Sequence, residues 1–261
     1  MDGALRGRAE EIRLRSGRGA AVLTAEGAVS LDIAVTPGDI EETLDNAVSS
    51  SMHSAADSIR RGFVTAPGGY RIGVCGSMVI RAGEKSGIRN PSSLCIRIPH
   101  MCRCADERIV SAALASSLLV ASPPGGGKTT LIRDIVRRIS DSGGRMALVD
   151  ERGELAAMNG GVPGLDVGRN TDVLENCPKY DAVELLLRSM NPQYIAMDEI
   201  SGPEDMEAVR RASGCGVRLI AGIHCPSRDK LAASGLPAGV FETVVFIEKK
   251  DGERVYRLEE L

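Results

Sequence analysis

Two rhythms of apolar and polar positions run along the chain. Up to about residue 105, short apolar runs alternate with turn residues, and Ala20–Ala25, Val29–Val35, Tyr70–Arg81 and Leu94–Ile98 read as strands. Between them, Pro37-Gly38-Asp39 opens a helical run from about Ile40 to Arg61. Asp39 can cap it, and Leu44, Val48 and Ile59 fall near one face. Pro67-Gly68-Gly69 marks a turn, and the polar segment Arg81–Gly87 reads as an exposed hairpin loop. These elements predict a small α+β N-terminal domain over residues 1–105.

From residue 106 to 261 the rhythm changes. Helix Asp106–Leu114, strand Ser117–Ala121, a glycine-rich loop and helix Thr129–Ser140 come first. Strand Arg145–Asp150, a long loop, helix Lys179–Met190, strand Gln193–Asp198, helix Pro203–Ser213 and strand Val217–Ile223 follow, and a hairpin near Phe241–Leu258 closes the series. Strands alternating with helices imply βαβ units and a parallel sheet covered on both faces. Such sheets bind ligands beyond the carboxyl ends of their strands. The expected fold is α/β, a P-loop NTPase core of RecA/AAA type.

Composition narrows the function classes. The chain has 261 residues, 43% hydrophobic and 26% charged, which excludes wholesale disorder. The longest apolar stretch, Ala112–Ala121, is broken by Ser116 and Ser117 and is too short to span a bilayer. The N-terminal residues lack the apolar core of a secretory signal, so the expected location is cytoplasmic. Seven cysteines without a C-x-x-C pair read as free thiols, and the cluster His100-Met101-Cys102-Arg103-Cys104 lacks half of a structural zinc site. Charge is uneven: residues 21–59 carry seven acids and no Lys or Arg, whereas residues 60–108 carry nine bases and three acids. The two stretches pair within one domain, or the arginines meet a protein, an acidic membrane or nucleic acid.

The strongest chemical signal is Ser122-Pro123-Pro124-Gly125-Gly126-Gly127-Lys128-Thr129-Thr130, set between an apolar strand and a helix as a P-loop requires. The glycines let backbone N–H groups curl around phosphate oxygens, and the following helix N-terminus adds its dipole. Lys128 reaches the β- and γ-phosphates of ATP, and the Thr129 hydroxyl takes a Mg²⁺ position. Ser122 stands where the P-loop pattern has its first glycine, which Ser tolerates only with negative φ. Hydrolysis also needs acids, and two pairs end apolar runs: Asp150-Glu151 and Asp198-Glu199. The second pair is favoured if the Mg²⁺ strand lies one strand away from the P-loop strand, with Asp198 on the metal, Glu199 activating water and Glu151 supporting. His224 ends the next strand and can sense the γ-phosphate; Arg169 and Arg188 are candidates to stabilise transition-state charge.

EIRLRSGRG (11–19), TAPGGYRIGVCGSMV (65–79), the P-loop with its helix, LVDERGELAA (148–157), GRNTDVLENCPK (168–179) and LLLRSMNPQYIAMDEIS together resemble the stage III sporulation protein AA family over nearly the whole chain. The resemblance implies an ATPase similar to those of type II and type IV secretion. It implies a homo-oligomeric ring, a hexamer, in the mother-cell cytoplasm, acting on membrane channel proteins of the sporulation complex. It also puts Asp150-Glu151-Arg152 in a second acidic box and His224 in a histidine box. Two other readings stay open: a single-stranded nucleic-acid-associated P-loop ATPase, as in plastid proteins with a similar core, and a nucleotide-regulated scaffold without turnover. Only 3% aromatic residues and a net charge of −3 argue against nucleic acid as partner.

Overall fold

A computed structural model describes residues 3–48, 62–81, 83–99, 102–250 and 253–261. The second half of the expected helix 40–61 and His100 of the cysteine cluster lie outside the described residues. The chain divides into two compact units, Met1–His100 with Ala157–Leu165, and Met101–Ala156 with Asp166–Leu261. Among the described residues, no helix is long and apolar enough to cross a membrane.

The first unit holds helix α1 (Gly3–Arg8) and strands β1 (Glu11–Arg15), β2 (Gly19–Thr24) and β3 (Gly27–Ala34). Helix α2 (Pro37–Val48) and strands β4 (Phe63–Ala66), β5 (Tyr70–Arg81) and β6 (Glu84–Arg97) follow. The strands form one antiparallel sheet in the order β3-β2-β1-β6-β5-β4. Alternation puts Ile72, Val74 and Leu94 into a core with Ile40 and Ala47 of α2. Arg13, Arg15 and Cys75 line a small hollow of about 180 Å³ in this unit. The expected loop 81–87 is replaced by pairing that runs to Arg81↔Glu84. That ribbon leaves Met78 and Ile80 exposed, so no buried apolar face announces it and its polar tip reads as a loop. Strands β1 and β4 had no strong apolar run to announce them. The short strands β9 (Met158–Asn159) and β10 (Val162–Pro163) pair with each other, and Asn159 Nδ2 donates to Thr65 O at 2.7 Å.

The second unit is a seven-stranded sheet. Helix α3 (Glu107–Ala115), capped by Asp106 through Ile109 N–H, leads into β7 (Leu118–Ser122). Next come α4 (Lys128–Asp141), β8 (Met146–Asp150), β11 (Thr171–Glu175), α5 (Lys179–Ser189), β12 (Tyr194–Met197) and α6 (Pro203–Gly214). Strand β13 (Arg218–His224), α7 (Arg228–Ala232) and the hairpin β14 (Thr243–Lys250) and β15 (Glu253–Glu260) end the unit. The strand order is β11-β8-β12-β13-β7-β14-β15, and all are parallel except β15. Strands β7, β8 and β12 are buried throughout, as strands covered on both faces must be. Helix α4 buries Leu131, Ile132, Ile135, Val136 and Ile139, at helical spacing. Strand β13 lies between β7 and β12, so the carboxyl ends of these three strands share one edge. The edge strand β11 sits inside what the sequence reads as a long loop.

Candidate functional site

The segment Ser122–Thr130 joins the end of β7 to the start of α4. Gly127 stands at the helix N-cap with φ 104°, a left-handed conformation, and the helix has no side-chain cap hydrogen bond. Its first N–H groups are therefore left to a ligand. Ser122 ends β7 in extended backbone, fully buried, with its hydroxyl donating to Pro123 O at 2.8 Å, so the missing first glycine brings no left-handed strain. Gly126 is packed against it: a Cβ there would lie 2.5 Å from Ser122 Oγ and 2.7 Å from its Cβ.

The loop borders a cleft of about 440 Å³ also lined by Lys128, Thr129, Arg152, Asp198, Glu199 and His224. Thr129 Oγ1 donates to Asp198 Oδ2 at 2.8 Å. Asp198 Oδ1 is buried and, among the described residues, has no hydrogen-bond partner. Burial holds the Asp198 carboxyl above the usual carboxylate range, against the opposing pull of Thr129 and Lys128. Lys128 is 7% exposed, and burial pushes its ammonium below the ordinary lysine value, against Asp198 and Glu199. Its Nζ lies 2.8 Å from His224 Nδ1, and His224 Nε2 lies 3.3 Å from Glu199 Oε2. Arg152 donates to the same Glu199 oxygen at 3.2 Å. Five candidate residues, from the ends of β12 and β13 and from the P-loop, thus line one cleft.

The rest fall elsewhere. Asp150, 2% exposed, accepts N–H groups of Glu154, Leu155 and Ala156 at 2.8, 3.1 and 2.8 Å, while Arg133 of α4 donates to Glu154 O and Leu155 O. Together they clamp the loop that carries Glu154 to the cleft. The structure does not bring Glu151 to the P-loop: it pairs with Lys179, which also meets Asp205 at 3.5 Å. Arg188 pairs with Glu184 on the exposed face of α5. Arg169 donates to Asp141 O at the far end of α4, opposite the P-loop end. Sequence reasoning missed Arg254, which lines the cleft from β15; it stands in no motif, and only the hairpin's reach places it there.

A P-loop at the head of a parallel sheet, with Thr129, Asp198 and Glu199 at its mouth, defines the P-loop ATPase fold class. The chain belongs to the family Sporulation stage III, protein AA, whose model matches residues 5–254. It is 33% identical over 223 residues to "Stage III sporulation protein AA" of Bacillus subtilis (strain 168), covering 82% of this chain and 73% of that protein. It is 32% identical over 118 residues to "Protein SEEDLING PLASTID DEVELOPMENT 1" of Arabidopsis thaliana, covering 44% of this chain and 17% of that protein. Among solved structures, the Legionella pneumophila ATPase DotB matches with TM-score 0.62 and 13% identity, over 98% of this chain and 77% of that one. The pilus retraction motor PilT with bound ADP matches with TM-score 0.68 and 16% identity, over 97% and 79%. At these identities the two structures show a common fold.

Members of this fold class use Mg²⁺ with the nucleotide. The residues present fit it: a buried carboxylate oxygen that has no partner among the described residues and an adjacent hydroxyl are hard oxygen donors of the kind Mg²⁺ takes.

Proposed function

We propose that the protein is an ATP hydrolase that works as a homo-oligomeric ring and powers or gates a secretion-like membrane channel during endospore formation. It acts from the mother-cell cytoplasm and reaches the membrane through partner proteins. The observation that carries the catalytic part is the convergence of Lys128, Thr129, Asp198, Glu199 and His224 on the P-loop cleft.

The reaction is ATP + water → ADP + phosphate. P-loop N–H groups and Lys128 hold the β- and γ-phosphates. Thr129 and Asp198 would hold Mg²⁺, which when bound neutralises charge on the phosphates. Glu199 orients the attacking water and accepts its proton. Its Oε2 is held by Arg152 and His224, which fix the carboxylate's position at the cleft. His224, between Lys128 and Glu199, joins the phosphate-binding cation to the base. Glu151 and Arg188 keep no role within this cleft; any contribution from Arg188 comes across a subunit boundary.

Binding of a fluorescent ATP analogue and phosphate release, measured side by side, test this reading. Glu199→Gln is expected to bind ATP with near wild-type affinity and to release phosphate at least ~10²-fold more slowly. Lys128→Ala is expected to lose both. A Glu199→Gln variant that turns over at the wild-type rate removes Glu199 from the role of base.

A further inference from the structure

The hairpin β14–β15 reaches past the strand it pairs with. Strand β14 runs parallel to β7 in the register Thr243↔Leu118 to Phe246↔Ala121. Ile247 is then level with Ser122, the last residue of β7, and Glu248–Lys250 extend about 10 Å beyond it over the P-loop. Strand β15 returns with Arg254 opposite Lys249. Arg254 Nε donates to Gly126 O at 3.1 Å, and its Nε, Cζ and Cδ lie 3.0–3.5 Å from where a Cβ of Gly127 would stand. The guanidinium is laid against the glycines that precede Lys128, and it lines the same cleft.

Its surroundings set it apart from the other arginine of that strand. Arg257 is neutralised by Glu248 and Glu259. Among the described residues, the two terminal amino groups of Arg254 take no acceptor, and no acid pairs with it. An arginine anchored through Nε alone, with its fork open beside a phosphate-binding loop, matches the bidentate geometry by which guanidinium groups hold phosphate oxygens.

On the reading that the cleft takes a nucleoside triphosphate, we infer that Arg254 is a ligand of the nucleotide's α/β-phosphates, supplied by the C-terminal hairpin. The position decides which phosphates: Arg254 sits on Gly126 and Gly127, whose stretch of loop cradles the α- and β-phosphates. On the γ-phosphate side stand Glu199 and His224, at the ends of β12 and β13 across β7 from the hairpin. A contact of this kind is felt equally by di- and triphosphate.

The test is a fluorescence-anisotropy titration of N-methylanthraniloyl-ADP and -ATP, with Mg²⁺, against the full chain and its Lys128→Ala, Arg254→Ala, Arg254→Lys and Arg254→Gln variants. Loss of a charged hydrogen-bond partner predicts that Arg254→Ala weakens both nucleotides by the same factor, about tenfold or more. Lys, which keeps the charge, recovers part of the loss. Gln, which can still donate to Gly126 O but carries no charge, recovers none. Four results overturn the inference: affinity within twofold of wild type in Arg254→Ala while Lys128→Ala has lost binding; rescue by Gln, which makes Arg254 a brace of the loop; a loss for ATP alone, which moves the contact to the γ-phosphate; and a wild-type chain that binds neither nucleotide, which removes the nucleotide reading as well.

Discussion

At the scale of single residues, acids of similar sequence appearance serve different ends because of what surrounds them. Asp150 and Asp198 both end apolar strands, yet Asp150 spends both oxygens on three backbone N–H groups, whereas Asp198 keeps one oxygen without a partner among the described residues. Asp150→Ala strands those donors and is expected to destabilise the second unit by on the order of 3 kcal/mol. An unchanged melting temperature would contradict the clamp described for residues 154–156. The cysteines offer a second check. Burial pushes the Cys104 thiol up to about 11, against a lowering pull from Tyr256. At pH 8 its thiolate fraction is then about 0.1%. Under iodoacetamide with mass-spectrometric readout, exposed Cys75, Cys102 and Cys215 are expected to label first, and Cys104 and buried Cys225 last. Labelling of Cys104 as fast as Cys102 would show that the thiol is not held in its buried state.

At the scale of elements, the P-loop works as one packed unit. Gly126 is glycine because Ser122 fills the space a Cβ would need. Gly126→Ala is therefore expected to weaken ADP binding by roughly tenfold or more, and Ser122→Gly in the same chain to restore part of it. Pro123 O, 3.0 Å from the added Cβ, keeps the rescue incomplete. A double-mutant cycle on the dissociation constants reads the coupling, and strictly additive effects would contradict the contact. The elements also show what a sequence can carry. Strands β7, β8, β12 and β13 are legible because strands buried on both faces must be apolar runs, and the P-loop because phosphate binding constrains consecutive residues. Strand β11 is not legible: at the sheet edge an exposed Asp172 costs little, and with Asp172 and Glu175 in it the segment reads as loop. Arg254 is invisible for another reason, since its place depends on the register of β14 on β7. Glu151 misleads because it follows Asp150 in sequence while its side chain turns to Lys179.

At the scale of the whole molecule, the chain passes from the second unit into the first and back at residues 157–165, where Gly160, Gly161, Pro163 and Gly164 read in sequence only as part of a long loop. Family membership, the parallel sheet and the cleft agree on an ATPase fold, and the acids and cations in that cleft support hydrolysis as its use. A ring motor adds a requirement that an isolated P-loop enzyme lacks: turnover per subunit must depend on assembly. The most direct measurement is phosphate release with ATP and Mg²⁺ across protein concentration, with light scattering recorded on the same samples and Lys128→Ala as control. Turnover per subunit is predicted to rise as scattering reports assembly, and to vanish in Lys128→Ala. Nucleotide binding without phosphate release at any concentration would contradict the account and leave a nucleotide-regulated scaffold in its place.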